Sequence, residues 1–368
     1  MNRFMRTAVE FISPSRIRYP EVPPMELGMT PNDLLDDATD VDEGRTGRVD
    51  DVVATSGGLA VAQEDQVAVT NARGEVERFP LPGRITALAA FGSDLLAAVH
   101  GHGLYCIRGA MSGPWTQDVR LTSNVTALLA LPDGSVLATV GSADEDIDGW
   151  SADLLLQRAT GSLHRIGADG QVLRSREGLS WAAGLADGPG GPGQPVLVSL
   201  AHAHRIDLVD PVSLQTVDTF LAGLPSYPWR ISHNSARNSW WVSMPLVRSR
   251  FTELILGERE FLEDMMATVP QESWYGPSMA GGSIYREPLQ LGGLRVFGQV
   301  KPWAPPRSYG LVAEYDASGR VLRSLHSRAG GLTHGVVAAA EHEGSLWLAA
   351  RSRSGLVRIA FTDDLENS

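Results

Sequence analysis

The chain has 368 residues, 43% of them hydrophobic and 20% charged, and a formal net charge of -12 at pH 7. That charge, with no basic stripe interleaved with aromatics to offset it, excludes a nucleic-acid partner and an anionic membrane surface. Cys106 is the only cysteine, which excludes an internal disulfide and a cysteine-based zinc site and leaves it as a small buried hydrophobe on a strand. The N-terminal stretch MNRFMRTAVEFISPSRIRYP lacks the apolar run of a secretory signal, and no later segment approaches the ~20 apolar residues of a membrane span. The expectation is a soluble, cytoplasmic protein.

In chain order, residues 1–47 form an N-terminal segment. Its acidic stretch DLLDDATDVDE, residues 33–43, is expected to be a solvated surface. From residue 48 to 361 short apolar or alternating runs are separated by Gly, Asp, Asn and Pro, the signature of strands and tight turns. VDDVVATS, LAVAQED, QVAVTNA and EVERFP make a first four-strand unit; ITALAAF, LLAAVHG, GLYCIRG and TQDVRL make a second. VTALLALPDG, SVLATVGS, GSLHRIGADG and VLRSRE follow, then WAAGLADG, PVLVSLA, HRIDLVDP and QTVDTFL. Four strands per unit, recurring every ~35 to 55 residues, is the layout of propeller blades.

The fifth unit opens with WRISHN and SWWVSMP, is interrupted over residues 251–306, and resumes at YGLVAEYDASGRVLRSLHS. Within the interruption, residues 251–266 carry apolar side chains at helical spacing, and residues 271–306 are rich in Trp, Tyr, Gly and Pro, as in a lid or binding loop. The sixth unit, GVVAAAEHEG, SLWLAA and GLVRIAF, supplies only three strands. Its fourth is expected from the N-terminal segment, around residues 16–19, closing the ring and removing an exposed sheet edge. Residues 362–368 are a tail. The fold expected is all-β, a six-bladed β-propeller with a helix and lid-like insertion in blade five.

LPSYPWRISHNSARNSWWVSMP, the helix after it, SYGLVAEYDASGRVLRSLH and EHEGSLWLAARSRSGLVRI resemble the strictosidine synthase-like family in their order, and RATGSLHRIGADGQV is similar to a strand pair of that family. The resemblance spans roughly residues 50–361. It implies a six-bladed propeller related to the SMP-30/gluconolactonase and paraoxonase propellers, with a pocket on the axis. Metal-dependent relatives hold a calcium-like ion there with carboxylate and amide oxygens at the starts of the inner strands. The corresponding positions here are Asp50, Thr126, Ala183 and Arg230. Ala183 has no ligand atom, and a guanidinium repels a cation, so no metal and no cofactor are expected. The family's catalytic glutamate corresponds to Val337, four residues before Glu341-His342, and Val moves no proton.

The candidates for catalysis are therefore His334, Asp50 and Arg230. His334 opens the last blade and can shuttle protons near neutral pH; the alternative is a loop histidine bonded to backbone. Arg230 can bind a carboxylate or stabilise an oxyanion, or it pairs with an acidic neighbour such as Asp50. Asp50 can act as an axial base or ammonium partner, or sit in a salt bridge. Trp229, Thr126, His102, His202, Trp274 and Tyr275 are candidates for substrate contact. The alternate pairs His100/His102 and His202/His204 have a metal-ligand spacing, but turns at that depth lie off the axis. The function expected is a strictosidine synthase-like, metal-independent condensation, cyclisation or rearrangement of a small organic substrate in natural-product biosynthesis. The alternatives are a lactonase-like hydrolase and a non-catalytic small-molecule-binding propeller.

Overall fold

The computed structural model describes residues 29–41, 47–71, 73–108, 111–248, 250–270, 308–328, 331–353 and 355–361, together with 274, 276–277, 279, 295–296 and 299–300. Six four-stranded antiparallel sheets follow one another along the chain, giving the expected all-β six-bladed propeller. Blades one to four take their strands consecutively between Val49 and Leu221. Blade five joins Ile231–Asn234 and Ser239–Met244 to Gly310–Tyr315 and Val321–Ser327 across the insertion. The inner strands contact their neighbours round the whole ring, with that of blade six meeting that of blade one.

Burial explains the composition of the strands. Second strands, such as Gly58–Gln63 and Val136–Val140, are covered on both faces by adjacent blades, so every residue is buried. They read as unbroken apolar runs. Outer strands such as Val76–Pro80 and Thr216–Leu221 face solvent and are largely exposed. The core therefore lies between blades, as apolar layers such as Ala87, Leu96, Leu104, Val125, Leu128 and Ala138. Cys106 is buried there, as its sequence setting suggested.

Blade six is completed by the N-terminal segment, but by Thr39–Asp40, which pairs with Gly355–Ala360 in the register Thr39↔Arg358 and Asp40↔Val357. Residues 16–19, where the closing strand was expected, lie outside the described residues. The acidic stretch around it is also more than a solvated surface. Leu35 is fully buried among side chains of blades five and six, and Asp36 accepts hydrogen bonds from Ser327 Oγ (2.7 Å) and the Leu332 amide (2.8 Å). Asn32 accepts from the His326 amide and donates to the Ser324 carbonyl, each at 2.9 Å. Short polar side chains here secure the ring closure, a role that charge density alone does not reveal.

Three short α-helices interrupt the sheets among the described residues: α1 (Trp150–Leu156), α2 (Arg250–Leu256) and α3 (Arg259–Thr268). The expected single helix over 251–266 is thus two, broken at Gly257-Glu258, and α1 was not foreseen. Leu155 of α1 packs with Leu262 and Met265 of α3, and Gln157 donates to the Leu256 carbonyl. The insertions of blades three and five therefore meet at one end of the propeller. No helix among the described residues is long and apolar enough to cross a membrane.

Candidate functional site

Each inner strand has an irregularity near its start. In blades one, two, three, four and six the pairing skips Asp50, Thr86, Thr126, Ala183 and Val337. In blade five the Ser243 amide donates to Arg230 O (3.0 Å) while Ser243 O accepts from the Trp229 amide (2.8 Å), so one residue faces two. These are β-bulges, which re-aim a side chain out of the regular ladder. The six bulged residues define a ring at one end of the axis. Asp50, Thr86, Thr126 and Arg230 line a cavity of about 440 Å³ there, with Arg48, Asp148, Trp150, Trp229, Met279 and Arg351 among its other walls.

Arg230 crosses the axis. Its guanidinium donates to the Thr86 carbonyl of blade two and lies 3.2 Å from Asp51 of blade one. Asp51 in turn accepts from the Leu88 amide (2.8 Å) and the Val52 amide (2.9 Å). Burial raises the Asp51 carboxyl to about 6, against the Arg230 charge and these amides, which favour the ionised form. Asp51 faces a second cavity, of about 600 Å³, at the opposite end of the axis, and Arg230 borders both. The guanidinium is thus a floor between the two.

Asp50 does not pair with Arg230. It receives two hydrogen bonds from Arg84, both 2.8 Å, and contacts Arg351 and Arg48. Asp148 bridges Arg48 (2.6 Å) and Arg84 (2.7 Å). Burial alone would push the Asp50 carboxyl up; the Arg84 hydrogen bonds and the three guanidinium charges outweigh it and hold the group well below the usual carboxylate range. An aspartate held so firmly ionised is a poor proton acceptor.

The remaining expectations divide. Trp229 lines the cavity, edge-on to Trp150 at 6.3 Å between ring centroids. Thr126 lines it too, but its hydroxyl donates to the Ala182 carbonyl (2.6 Å). His334 lines neither cavity. Its Nδ1 is 2.8 Å from Ser308 Oγ and its Nε2 3.0 Å from the Arg328 carbonyl, so it is held in a loop network and does not stand in for an axial acid. His102 is exposed on a turn. His202 sits behind the aromatic wall, stacked on Trp181 at 5.5 Å with Nδ1 3.2 Å from buried Asp153. Trp274 donates to the Val269 carbonyl (2.7 Å) and packs beside Leu155 and Met265 as a helix anchor. Tyr275 lies outside the described residues.

Sequence reasoning missed Thr86, Arg48, Arg84, Asp148 and Arg351. A signal exists for two of them: Arg48-Val49-Asp50 and Arg84-Ile85-Thr86 place an arginine two residues before the bulge in consecutive blades.

No protein-family model matches the chain, and no curated protein matches it. Among solved structures it is similar to a luciferin-regenerating enzyme (11% identity, 87% of this chain and 93% of that one, TM-score 0.53). It is similar also to a calcium-binding regucalcin from Agrobacterium tumefaciens (12%, 85% and 90%, TM-score 0.52). A third is a gluconolactonase from Xanthomonas campestris (11%, 87% and 88%, TM-score 0.53). At these identities the likeness establishes a six-bladed propeller whose structural neighbours belong to the SMP-30/gluconolactonase family; strictosidine synthase-like membership is not shown.

The regucalcin among these neighbours is a calcium-binding protein. A hard divalent ion takes ~6–8 converging oxygens. The ring offers one carboxylate already bound by three arginines, two threonines, Ala183, Val337 and a guanidinium across the axis. Among the described residues no three His, Cys, Asp or Glu side chains converge elsewhere either. This ring does not fit the ion.

Proposed function

We propose that the chain is a lactonase-like enzyme that works on a small organic substrate in the axial cavity without a divalent cation. The observation that carries this reading is Arg230, a buried guanidinium laid across the axis at the cavity floor. Lactone opening places negative charge on the carbonyl oxygen. A fixed, desolvated cationic donor stabilises that charge more than it stabilises the neutral ground state. Trp150 and Trp229 offer the apolar wall on which a ring can rest.

The strictosidine synthase-like reading has weaker support. Val337 is buried in the apolar layer between blades, and His334 is turned into a loop network. A second reading, a binding propeller without chemistry, is favoured by one observation: Asp50 and Asp148, the carboxylates of the cavity, are both tied to arginines. Assaying a panel of aliphatic and aromatic lactones for ring opening by wild type and Arg230→Gln separates the two. Turnover that falls at least ~100-fold in the variant supports the hydrolase. Saturable binding with no turnover in either protein supports the binder.

A further inference from the structure

The cavity floor carries two donors without acceptors. Thr86 is 1% exposed and Arg230 9%; Thr86 Oγ1 and Arg230 Nε are buried and have no hydrogen-bond partner among the described residues. Leaving a buried donor unmade is costly, so such atoms in a cavity wall mark where a ligand's acceptors belong. The two residues are adjacent, because the Arg230 guanidinium donates to the Thr86 carbonyl. A hydroxyl and an N–H on two residues in contact can each donate to an oxygen of one carboxylate.

Guanidinium groups are dense around them: Arg48, Arg84, Arg230, Arg351 and Arg353 all gather here, in a protein whose formal net charge is -12. The walls above the floor include Ile147, Trp150, Trp229 and Met279, which suit an apolar or aromatic body rather than a bare inorganic ion.

We infer that the axial cavity is a carboxylate site for a small organic acid with an apolar or aromatic body, its carboxylate anchored by Thr86 Oγ1 and Arg230 Nε. This rests on the axial cavity being the working site and deepens it: lactone opening generates a carboxylate at the carbon Arg230 faces. The open acid, rather than the neutral lactone, is then the tighter ligand.

The test is calorimetric titration of the full chain with benzoate and 3-phenylpropanoate, each against its amide, and with inorganic phosphate. At least one acid should bind with Kd below about 10 mM and at least ~10-fold more tightly than its amide. Thr86→Val, close in shape and free of the ion pairs, should weaken the acid ~3- to 10-fold and leave the amide unchanged. Arg230→Gln should remove the preference for the acid. Equal affinity for acid and amide, no acid binding below that limit, or an unchanged preference in Thr86→Val overturns the inference. So does phosphate matching the acids, which would mean a generic anion site. Acid binding without lactone opening sinks the hydrolase and keeps the inference; lactone opening without acid preference does the reverse.

Discussion

Arg230 of blade five and Asp51 of blade one meet 3.2 Å apart across the propeller axis, with side chains 10% and 4% exposed. The pair closes the axial tunnel between its two cavities and ties together blades that are not neighbours in the ring. The bulge at Trp229-Arg230 aims the arginine inward, and the paired amides of Val52 and Leu88 fix the aspartate to receive it.

Removing one partner leaves the other buried. Arg230→Gln should cost about 2–3 kcal/mol at pH 8, measured by urea unfolding, because Asp51 is then an uncompensated charge. The cost should shrink below pH 6, where Asp51 takes up a proton. Arg230→Gln with Asp51→Asn should recover most of it at pH 8. A cost that is the same at both pH values would show that Asp51 is not the group left exposed.

Asp51 also gives wild type a pH signature. Its folded value, raised by burial to about 6, lies above the ordinary value near 3.8, so the native state binds the extra proton between them. Its contribution to stability is full below the ordinary value and is lost as pH rises through the folded one. Relative to Asp51→Asn, wild type should lose on the order of 2–3 kcal/mol between pH 4 and 6. Stability curves for the two proteins that run parallel over that window would refute the assignment.

Buried histidines act on the acid side. His164 lies between Ser162 Oγ (2.7 Å) and Ser175 Oγ (2.8 Å), and burial, then the Arg120 charge, lowers it to about 4 from 6.5. The unfolded chain binds that proton first, so stability falls as pH drops from 6.5 towards 4. His164→Gln should be less acid-sensitive across that range by about 2–3 kcal/mol, followed by circular dichroism during denaturation. An unchanged acid slope would show that the imidazole charges freely in the folded protein.

The rim network has its own test. Arg84 supplies both 2.8 Å bonds to Asp50 and a third to Asp148, so Arg84→Ala should destabilise by about 2–4 kcal/mol. Arg48→Ala, whose Asp50 contact is 3.4 Å and whose side chain is 39% exposed, should cost less than about 1 kcal/mol. Equal losses in thermal unfolding would mean that Asp50 is held by the cluster as a whole.

The blade pattern was legible because burial on both faces forces second strands into apolar runs, whereas turns need Gly, Asp and Asn. The ring positions were legible in part. Asp50, Thr126, Ala183, Arg230 and Val337 were marked by correspondence with the axial positions of the family the sequence resembles, and all five prove to be bulge residues. What could not be read is which way a loop side chain turns. His334 and Arg351 both sit at the blade-six end of the ring; the first is drawn into contacts with Ser308 and Arg328, the second reaches Asp50. The Arg351 contact joins residues 301 positions apart in the chain. The choice of Asp51 over Asp50 as the Arg230 partner is of the same kind, since neighbours on a strand point to opposite faces.

The most direct test of the account is lactone opening by wild type and Arg230→Gln in excess chelator, with and without added calcium. Turnover is expected to survive the chelator, gain nothing from calcium, and fall at least ~100-fold in the variant. Turnover abolished by chelator and restored by calcium, or unaffected by loss of the Arg230 guanidinium, would contradict it.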